Sequence, residues 1–297
     1  MQVSTRLFYD RASSAMGRLS DQANTLQTQL STTKRLAAPS DDSVAYSRLR
    51  GLAQATTDAK ASASNLDLAA SVLAQADTTL TAMTAQLQHA SELAIQARSG
   101  TQDKTSLAAL ADGIDAVRAQ LVTLGNAADP RGAPLFGGAD GGAAVTANPD
   151  GSFTYATTSA SAIPVGDGQS VQPSDTASRV FTSSAGDTLA MLTALSAALR
   201  AGTDVDTAAA TAVTGLSAAT TQVTTVQSSL GARAAHVELA QAALTQADTT
   251  REATRSGLED TDITATVTQL QKTMTVLAAT QASFTKLQGL SLFDSLK

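Results

Sequence analysis

Cysteine is absent from the 297 residues, and so is tryptophan. Without a thiol there is no disulfide framework, no thiolate nucleophile and no Cys-ligated metal. Aromatic residues make up only 3% of the chain, too few for the bulky core that this length could otherwise enclose. The interior is left to Ala, Leu, Val and Thr, a mixture suited to helices that approach one another closely. The net charge of -6 and pI near 4.9 argue against a polyanionic partner, and no basic run with interleaved aromatics offers a nucleic-acid surface. No stretch approaches the roughly 18 apolar residues of a membrane span. Met1–Asp10 lacks the basic-then-apolar layout of a secretory signal, so export would need a route without a cleaved leader.

Chemistry-bearing clusters are equally scarce. His89 and His236 are the only two histidines, and neither has a second ligand-type residue at metal spacing. Asp204-Val205-Asp206 and Glu259-Asp260-Thr261-Asp262 look like fragments of cation loops, but both lack the glycine and distal glutamate of a calcium loop. They read as helix N-caps. Asp41 and Asp42 are adjacent on the chain and would point about 100° apart on a helix, so they read as first-turn acids and not as an acid-base pair. There is no phosphate-cradling glycine loop with its lysine and no Gly-x-Ser-x-Gly elbow. No enzyme, cofactor or metal is expected.

What the chain does contain is periodicity. Ala12, Met16, Leu19, Ala23, Leu26 and Leu30 alternate four and three residues apart, as do Ile263, Val267, Leu270, Met274, Leu277, Gln281 and Phe284. Each set forms one narrow apolar stripe on a helix, and each needs a partner to bury it. A first helix is expected over Thr5–Arg35, broken at Ala38-Pro39-Ser40-Asp41-Asp42, where Ser40 or Asp41 caps the next. The second carries Ala45, Leu49, Leu52, Thr56, Ala59, Ala63, Leu66, Ala70 and Leu73, then Ala76, Leu80, Met83, Leu87, Ala90, Ala94 and Ala97. At about 1.5 Å per residue it would be about 85 Å long. Two successive threes between Ala70 and Ala76 predict a stammer that overwinds the coil.

A third helix follows with Leu107, Leu110, Ile114, Val117, Leu121 and Leu124 on one face, ending at Gly125-Asn126. From Gly137 to Gly186 the chain turns rich in Gly, Ser, Thr and Pro. Turn signals at Asn148-Pro149-Asp150-Gly151 and Gly166-Asp167-Gly168 predict hairpins, and Arg179-Val180-Phe181 is a further strand candidate. Helical spacing returns at Leu189, Leu192, Leu195 and Leu199, and after the Ala201-Gly202-Thr203-Asp204 break at Val213, Leu216, Val223, Val226 and Leu230. The fold class is therefore mainly α, a long antiparallel helical bundle or coiled coil formed by both termini, with a small β-rich central insert.

Ordered motifs along the whole chain carry a family resemblance. They are Met1 to Thr5, Leu26 to Thr32, Pro39-Ser40-Asp41-Asp42, Asn65, and the run Leu87 to Ala97. Asn126-Ala127-Ala128-Asp129, Gly132 to Gly138, Leu230-Gly231-Ala232-Arg233, Asp260 to Ile263, and the tail Leu290 to Leu296 complete the set. Together they resemble the bacterial flagellin superfamily, and the Ser-Leu-Phe-Asp tail is closer to its hook-filament junction members than to filament subunits. Two positions depart: Thr33 where the family usually has Gly, and Ser43 where junction members often have Pro.

The resemblance implies an extracellular structural subunit of the flagellum, exported by the flagellar type III route, with the terminal helices paired inside and the insert facing outward. It implies partners as well: other copies in a ring, hook-associated protein 1 on the hook side, flagellin on the filament side and an export chaperone, with no nucleic acid and no membrane. The expected division is 1–40 as N-terminal assembly helix, 41–136 as a helical hairpin of a rod domain and 137–186 as the insert. Residues 187–262 would be returning rod helices and 263–297 the C-terminal assembly helix. The expected assembly interface comprises Met16, Leu19, Leu26, Leu30, Ile263, Val267, Leu270, Met274, Leu277 and Phe284, together with Leu292 and Phe293 of the tail. A filament-forming flagellin and a surface ligand-binding protein using the insert are the alternatives.

Overall fold

A computed structural model describes residues 2–99, 102–137, 142–158, 161–166 and 168–294. The helices are α1 (Gln2–Thr32), α2 (Ser43–Ala97), α3 (Lys104–Gly125), α4 (Ala177–Phe181), α5 (Thr188–Ala201), α6 (Val205–Glu259) and α7 (Ile263–Asp294). Three antiparallel two-stranded ribbons lie between α3 and α5: β1 (Val145–Ala147) with β2 (Phe153–Tyr155), β3 (Ile163–Gly166) with β4 (Gln169–Val171), and β5 (Thr182–Ser183) with β6 (Gly186–Asp187). The first two are the hairpins expected at Asn148–Gly151 and Gly166–Gly168. Contacts divide the chain into one compact unit of Met1–Thr57 with Ala247–Lys297, and another of Asp58–Gln246.

The larger unit is built on α2 and α6 running antiparallel. Gln241 donates to Asp67 at 2.9 Å, Gln227 to Thr81 at 3.1 Å, and Arg98 to Asp206 at 3.2 Å, so the residue number rises on one helix as it falls on the other. The buried face of α2 repeats every seven residues in two series: Leu66, Leu73, Leu80, Leu87 and Ala94, and Ala69, Ala76, Met83, Ala90 and Ala97. On α6 the matching series are Ala209, Leu216, Val223, Leu230 and Val237, with Ala212, Ala219 and Val226. These are heptad seams of large against small side chains. The stammer is not there: Ala69 is fully buried and Ala70 only partly, so the repeat runs from Ala59 to Ala97 unbroken.

Helices α3 and α5 pack against each other, also antiparallel, with Arg118 donating to Thr193 at 3.1 Å and Arg200 reaching both Asp112 and Asp115 at 2.7 Å. Ile114, Val117 and Leu121 of α3 and Leu189, Leu192, Leu195 and Leu199 of α5 are buried. The first two ribbons belong to this same core, because Val145, Ile163, Val165 and Val171 are buried in it. Arg179-Val180-Phe181 is not a strand. Thr176 accepts a hydrogen bond from the Arg179 N–H and caps the short helix α4, which buries Val180 and Phe181 while leaving Arg179 to an ion pair with Asp175 at 2.7 Å. The pair β5–β6 was not anticipated either; it leads into Asp187, which caps α5 through the Leu189 and Ala190 N–H groups.

Threonine is frequent on every long helix although it is a mediocre helix former. Its hydroxyls are satisfied by the carbonyl four residues back, as at Thr56, Thr79, Thr220, Thr224 and Thr273, leaving the methyl group to pack. Among the described residues no helix is long and apolar enough to cross a membrane.

The core cluster lies wholly within the larger unit, so that unit holds the apolar burial needed to fold without the chain ends. A protein trimmed of the segments before Ser40 and after Asp262 is expected to remain soluble and strongly helical and to melt in one cooperative transition. Circular dichroism checks this; a broad, non-cooperative melt would sink it.

Candidate assembly interface

The candidate interface lies at the two ends of the chain. Pro39 sets the second position of a tight turn in which the Asp41 N–H donates to the Ala38 carbonyl at 3.0 Å. The Asp41 carboxylate accepts from the Ala38 and Ala37 N–H groups at 2.8 and 2.9 Å, and these backbone bonds hold it below its ordinary pKa. Neither Ser40 nor Asp41 caps α2. Asp42 does, accepting from Ala45 and Val44, so that Ser43 occupies the first helical position. That is a position for which proline is preorganised.

Helix α1 ends at Thr32 and not at Arg35, because Thr33 turns to φ 58. A β-branched residue in the left-handed region is strained, and glycine is the residue that adopts it freely. From this corner the next residues pair with the segment entering α7. The Arg35 N–H donates to the Glu259 carbonyl at 2.7 Å, the Thr261 N–H donates to the Thr33 carbonyl at 3.0 Å, and Lys34 lies opposite Asp260 in an antiparallel bridge. Lys34 also pairs with Glu259, and the Arg35 guanidinium donates to the Leu258 carbonyl at 3.1 Å. Asp262 then caps α7 through the Ala265 N–H, so part of the acidic Glu259 to Asp262 run has the capping role expected of it.

Helices α1 and α7 pack antiparallel. At one end Thr33 meets Thr261; toward the other, the rings of Tyr9 and Phe284 meet edge to face with centroids 5.4 Å apart. On α1 the half-buried positions include the expected stripe Ala12, Met16, Leu19, Ala23, Leu26 and Leu30, with Tyr9, Ala15 and Gln29 beside it. On α7 the protected positions are Thr266, Leu270, Thr273, Leu277, Thr280 and Phe284. Leu270, Leu277 and Phe284 are where the sequence put them and Val267 flanks the seam half-buried. Ile263 and Met274, expected within it, are 51% and 58% exposed, and Gln281 is also exposed. Following only the largest apolar residues misplaced one series, since the seam uses threonine methyls instead. Leu292 and Phe293 lie at the end of α7, where side chains fall outside the described residues.

The remaining motif residues sit in the larger unit and hold its ribbons. Asn126 at the end of α3 donates to the Val145 carbonyl at 2.8 Å and accepts from the Val145 N–H at 3.0 Å, taking the place of a neighbouring strand. Asp129 is buried, which pulls its carboxyl up, but the Arg131 guanidinium and the Ala133 and Arg131 N–H groups outweigh this and hold it below its ordinary value. The turn it closes delivers Leu135 and Phe136 into the core. Gly125 and Gly137 are required by close approach: a Cβ on the first would meet Val145 at 2.8 Å, and on the second Pro134 at 2.7 Å. Asn65 donates to the Pro164 carbonyl at 2.7 Å, and Arg233 to the Ser174 and Gln172 carbonyls at 2.9 and 3.3 Å. Tyr155 donates to Asp187 at 2.6 Å; burial and that bond push its phenol far above the ordinary value, so it stays protonated. Among the described residues no three His, Cys, Asp or Glu side chains gather as a metal site, and His89 and His236 are both exposed.

Comparison with known proteins agrees with this geometry. The model of the bacterial flagellin N-terminal helical region matches residues 3–140, and that of the C-terminal helical region matches residues 213–295. The flagellar hook-associated protein 3 of Salmonella typhimurium is 30% identical over 138 residues, 46% of this chain and 44% of that protein. The chain is thus matched over less than half the length of this curated relative. Among solved structures, a Vibrio parahaemolyticus chain classed as flagellar hook-associated superposes with a TM-score of 0.69 at 17% identity, covering 74% of this chain and 100% of that one. The hook-associated protein 3 of Legionella pneumophila gives a TM-score of 0.62 at 17% identity, covering 70% and 98%. At such identities these structures establish the fold.

Two substitutions test the local physics. Thr33→Gly exchanges left-handed strain for glycine's chain entropy and is expected to raise stability by about 0.5–1 kcal/mol. Asn126→Ala leaves both backbone groups of Val145 without a partner and should cost about 2 kcal/mol. Denaturant midpoints at unchanged m-value measure both; a destabilising Thr33→Gly or a neutral Asn126→Ala would contradict the roles assigned.

Proposed function

The chain belongs to the bacterial flagellin superfamily, and from that premise we propose that it is a structural adaptor at the hook-filament junction of the flagellum, assembled through its paired terminal helices. The observation that carries this reading is the incomplete burial of the seam. Met16, Leu19, Leu26, Leu30, Val267, Leu270, Leu277 and Phe284 are only half-buried by α1 and α7 together, and Ile263 and Met274 are largely exposed. Complete burial of one such side chain stabilises by roughly 1.5–3 kcal/mol. The helix pair therefore has much of that free energy left to gain from neighbouring copies.

In this reading other copies cover the terminal pair in a ring, with hook-associated protein 1 on the hook side and flagellin on the filament side. The subunit lies outside the cell, having left through the flagellar type III route with a chaperone. It has no catalytic role. Support for the junction over the filament comes from the likeness to hook-associated protein 3 and from the tail Ser291-Leu292-Phe293-Asp294.

A junction adaptor is needed only in a short zone, so cells lacking it should build hooks, fail to swim and release flagellin into the medium. Antibody to the β1–β2 hairpin should label one narrow band between hook and filament; labelling along the filament would favour a filament flagellin instead. A charge in the seam costs several kcal/mol unless it finds a partner. Leu270→Asp should therefore abolish assembly while the larger unit stays folded, as read by sedimentation and circular dichroism.

A further inference from the structure

Helices α5 and α6 leave an open groove of about 650 Å³ between them, with the buried residues Leu195 and Gly215 at its base. Ala194, Ala208, Thr211 and Thr214 line it as well. The Thr211 hydroxyl donates to the Thr207 carbonyl at 2.9 Å and that of Thr214 to the Ala210 carbonyl at 3.2 Å, so both are committed to their own helix. No other side chain lining the groove carries an N–H or O–H donor. Met191 crosses this space onto Gly215: a Cβ on that glycine would lie 2.1 Å from the Met191 Sδ and 3.2 Å from its Cε. Glycine weakens a helix interior, but at position 215 any larger residue would displace the thioether. The sulfur thus packs on the backbone of α6, although the methionine as a whole is only half-buried.

We propose that Met191 is a site of reversible oxidation, at which conversion of the thioether to the sulfoxide by a peroxide loosens the contact of α5 with α6. The chain holds no cysteine, so methionine sulfur is the group a two-electron oxidant meets first. The larger unit has two methionines. Met83 is 1% exposed within the α2 seam and shielded, whereas Met191 stands in an open groove. In the reaction a sulfur lone pair attacks one oxygen of hydrogen peroxide, the S–O bond forms and the O–O bond breaks. The attacked oxygen gives its proton to the departing hydroxide, which leaves as water; sulfur is oxidised and the peroxide reduced. The sulfoxide is polar where the thioether was not. Over Gly215 its oxygen meets hydrocarbon and no free side-chain donor, so it is either an unpaired dipole held against the helix or it turns out to water. Turning out leaves the space over Gly215 without its packing partner. Both outcomes weaken the same helix contact. The proposal concerns the larger unit alone and stands independently of the chain's place in a flagellum.

The test uses the full-length chain in dilute hydrogen peroxide, with peptide mass mapping to follow each methionine and circular dichroism to follow the thermal melt. Met191 is expected to gain oxygen at least about tenfold faster than Met83. As it does so, the midpoint of the main transition should fall by about 3 °C or more. Met191→Leu conserves volume and retains every other methionine, so peroxide should leave its midpoint unchanged. Methionine sulfoxide reductases acting on both epimers should return the oxidised chain to its original midpoint, a readout that needs no variant. If Met191 is still a thioether once the exposed Met274 is fully converted, the groove does not admit the oxidant and the proposal is overturned. It is overturned equally if Met191 is oxidised without a change in midpoint, or if Met191→Leu loses as much stability in peroxide as the unsubstituted chain. A midpoint that stays low after Met191 has been reduced again also overturns it.

Discussion

Close approach between helices that carry small side chains is the constraint from which the rest of the structure follows. With aromatics at 3% of the chain, the core has to be made by bringing helix backbones together. Ala69, Ala76 and Ala90 on α2 and Ala212 and Ala219 on α6 leave room for the leucines and valines of the alternating series to interlock. An unbroken heptad over these long stretches is thus a packing necessity. Replacing one of the alanines by a larger residue would force the helices apart along several turns, since cores have no spare volume.

Such a core cannot by itself hold irregular chain. The segment between α3 and α5 has short strands with few side chains to bury, and it is fixed by polar groups that reach it from the helices. Asn126 completes the hydrogen bonding of Val145, Asn65 takes the Pro164 carbonyl, and Arg233 gathers the Ser174 and Gln172 carbonyls. Each addresses backbone atoms, so the geometry it imposes does not depend on which side chains the ribbons carry. Backbone groups left unpaired in this position would each cost about 1–3 kcal/mol.

Helix existence, the two hairpins and the pairing of the chain ends were legible in the sequence, because period and turn chemistry are local signals. Other features were not. Ala69 and Ala70 are both alanine, and period alone cannot choose between neighbours of equal hydropathy. The series Val267, Met274 and Gln281 expected in the seam is displaced by one residue to Thr266, Thr273 and Thr280, as composition hides the apolar character of a threonine whose hydroxyl already has a local partner. Arg179-Val180-Phe181 has strand-forming residues, yet the Thr176 cap and the burial of Val180 and Phe181 make it helix, a case of tertiary context overriding propensity. Asn126, Asp129 and Arg233 carry part of the family resemblance, but their role as braces on distant backbone rests on tertiary contacts that no local pattern encodes.

The two units solve the same packing problem to different degrees. Between α2 and α6 the seam residues of the larger unit are buried almost completely; between α1 and α7 the equivalent residues are half-buried, and the most protected positions on α7 are threonines. A pair of helices can shield only one stripe of each, so further burial of α1 and α7 must come from additional helices.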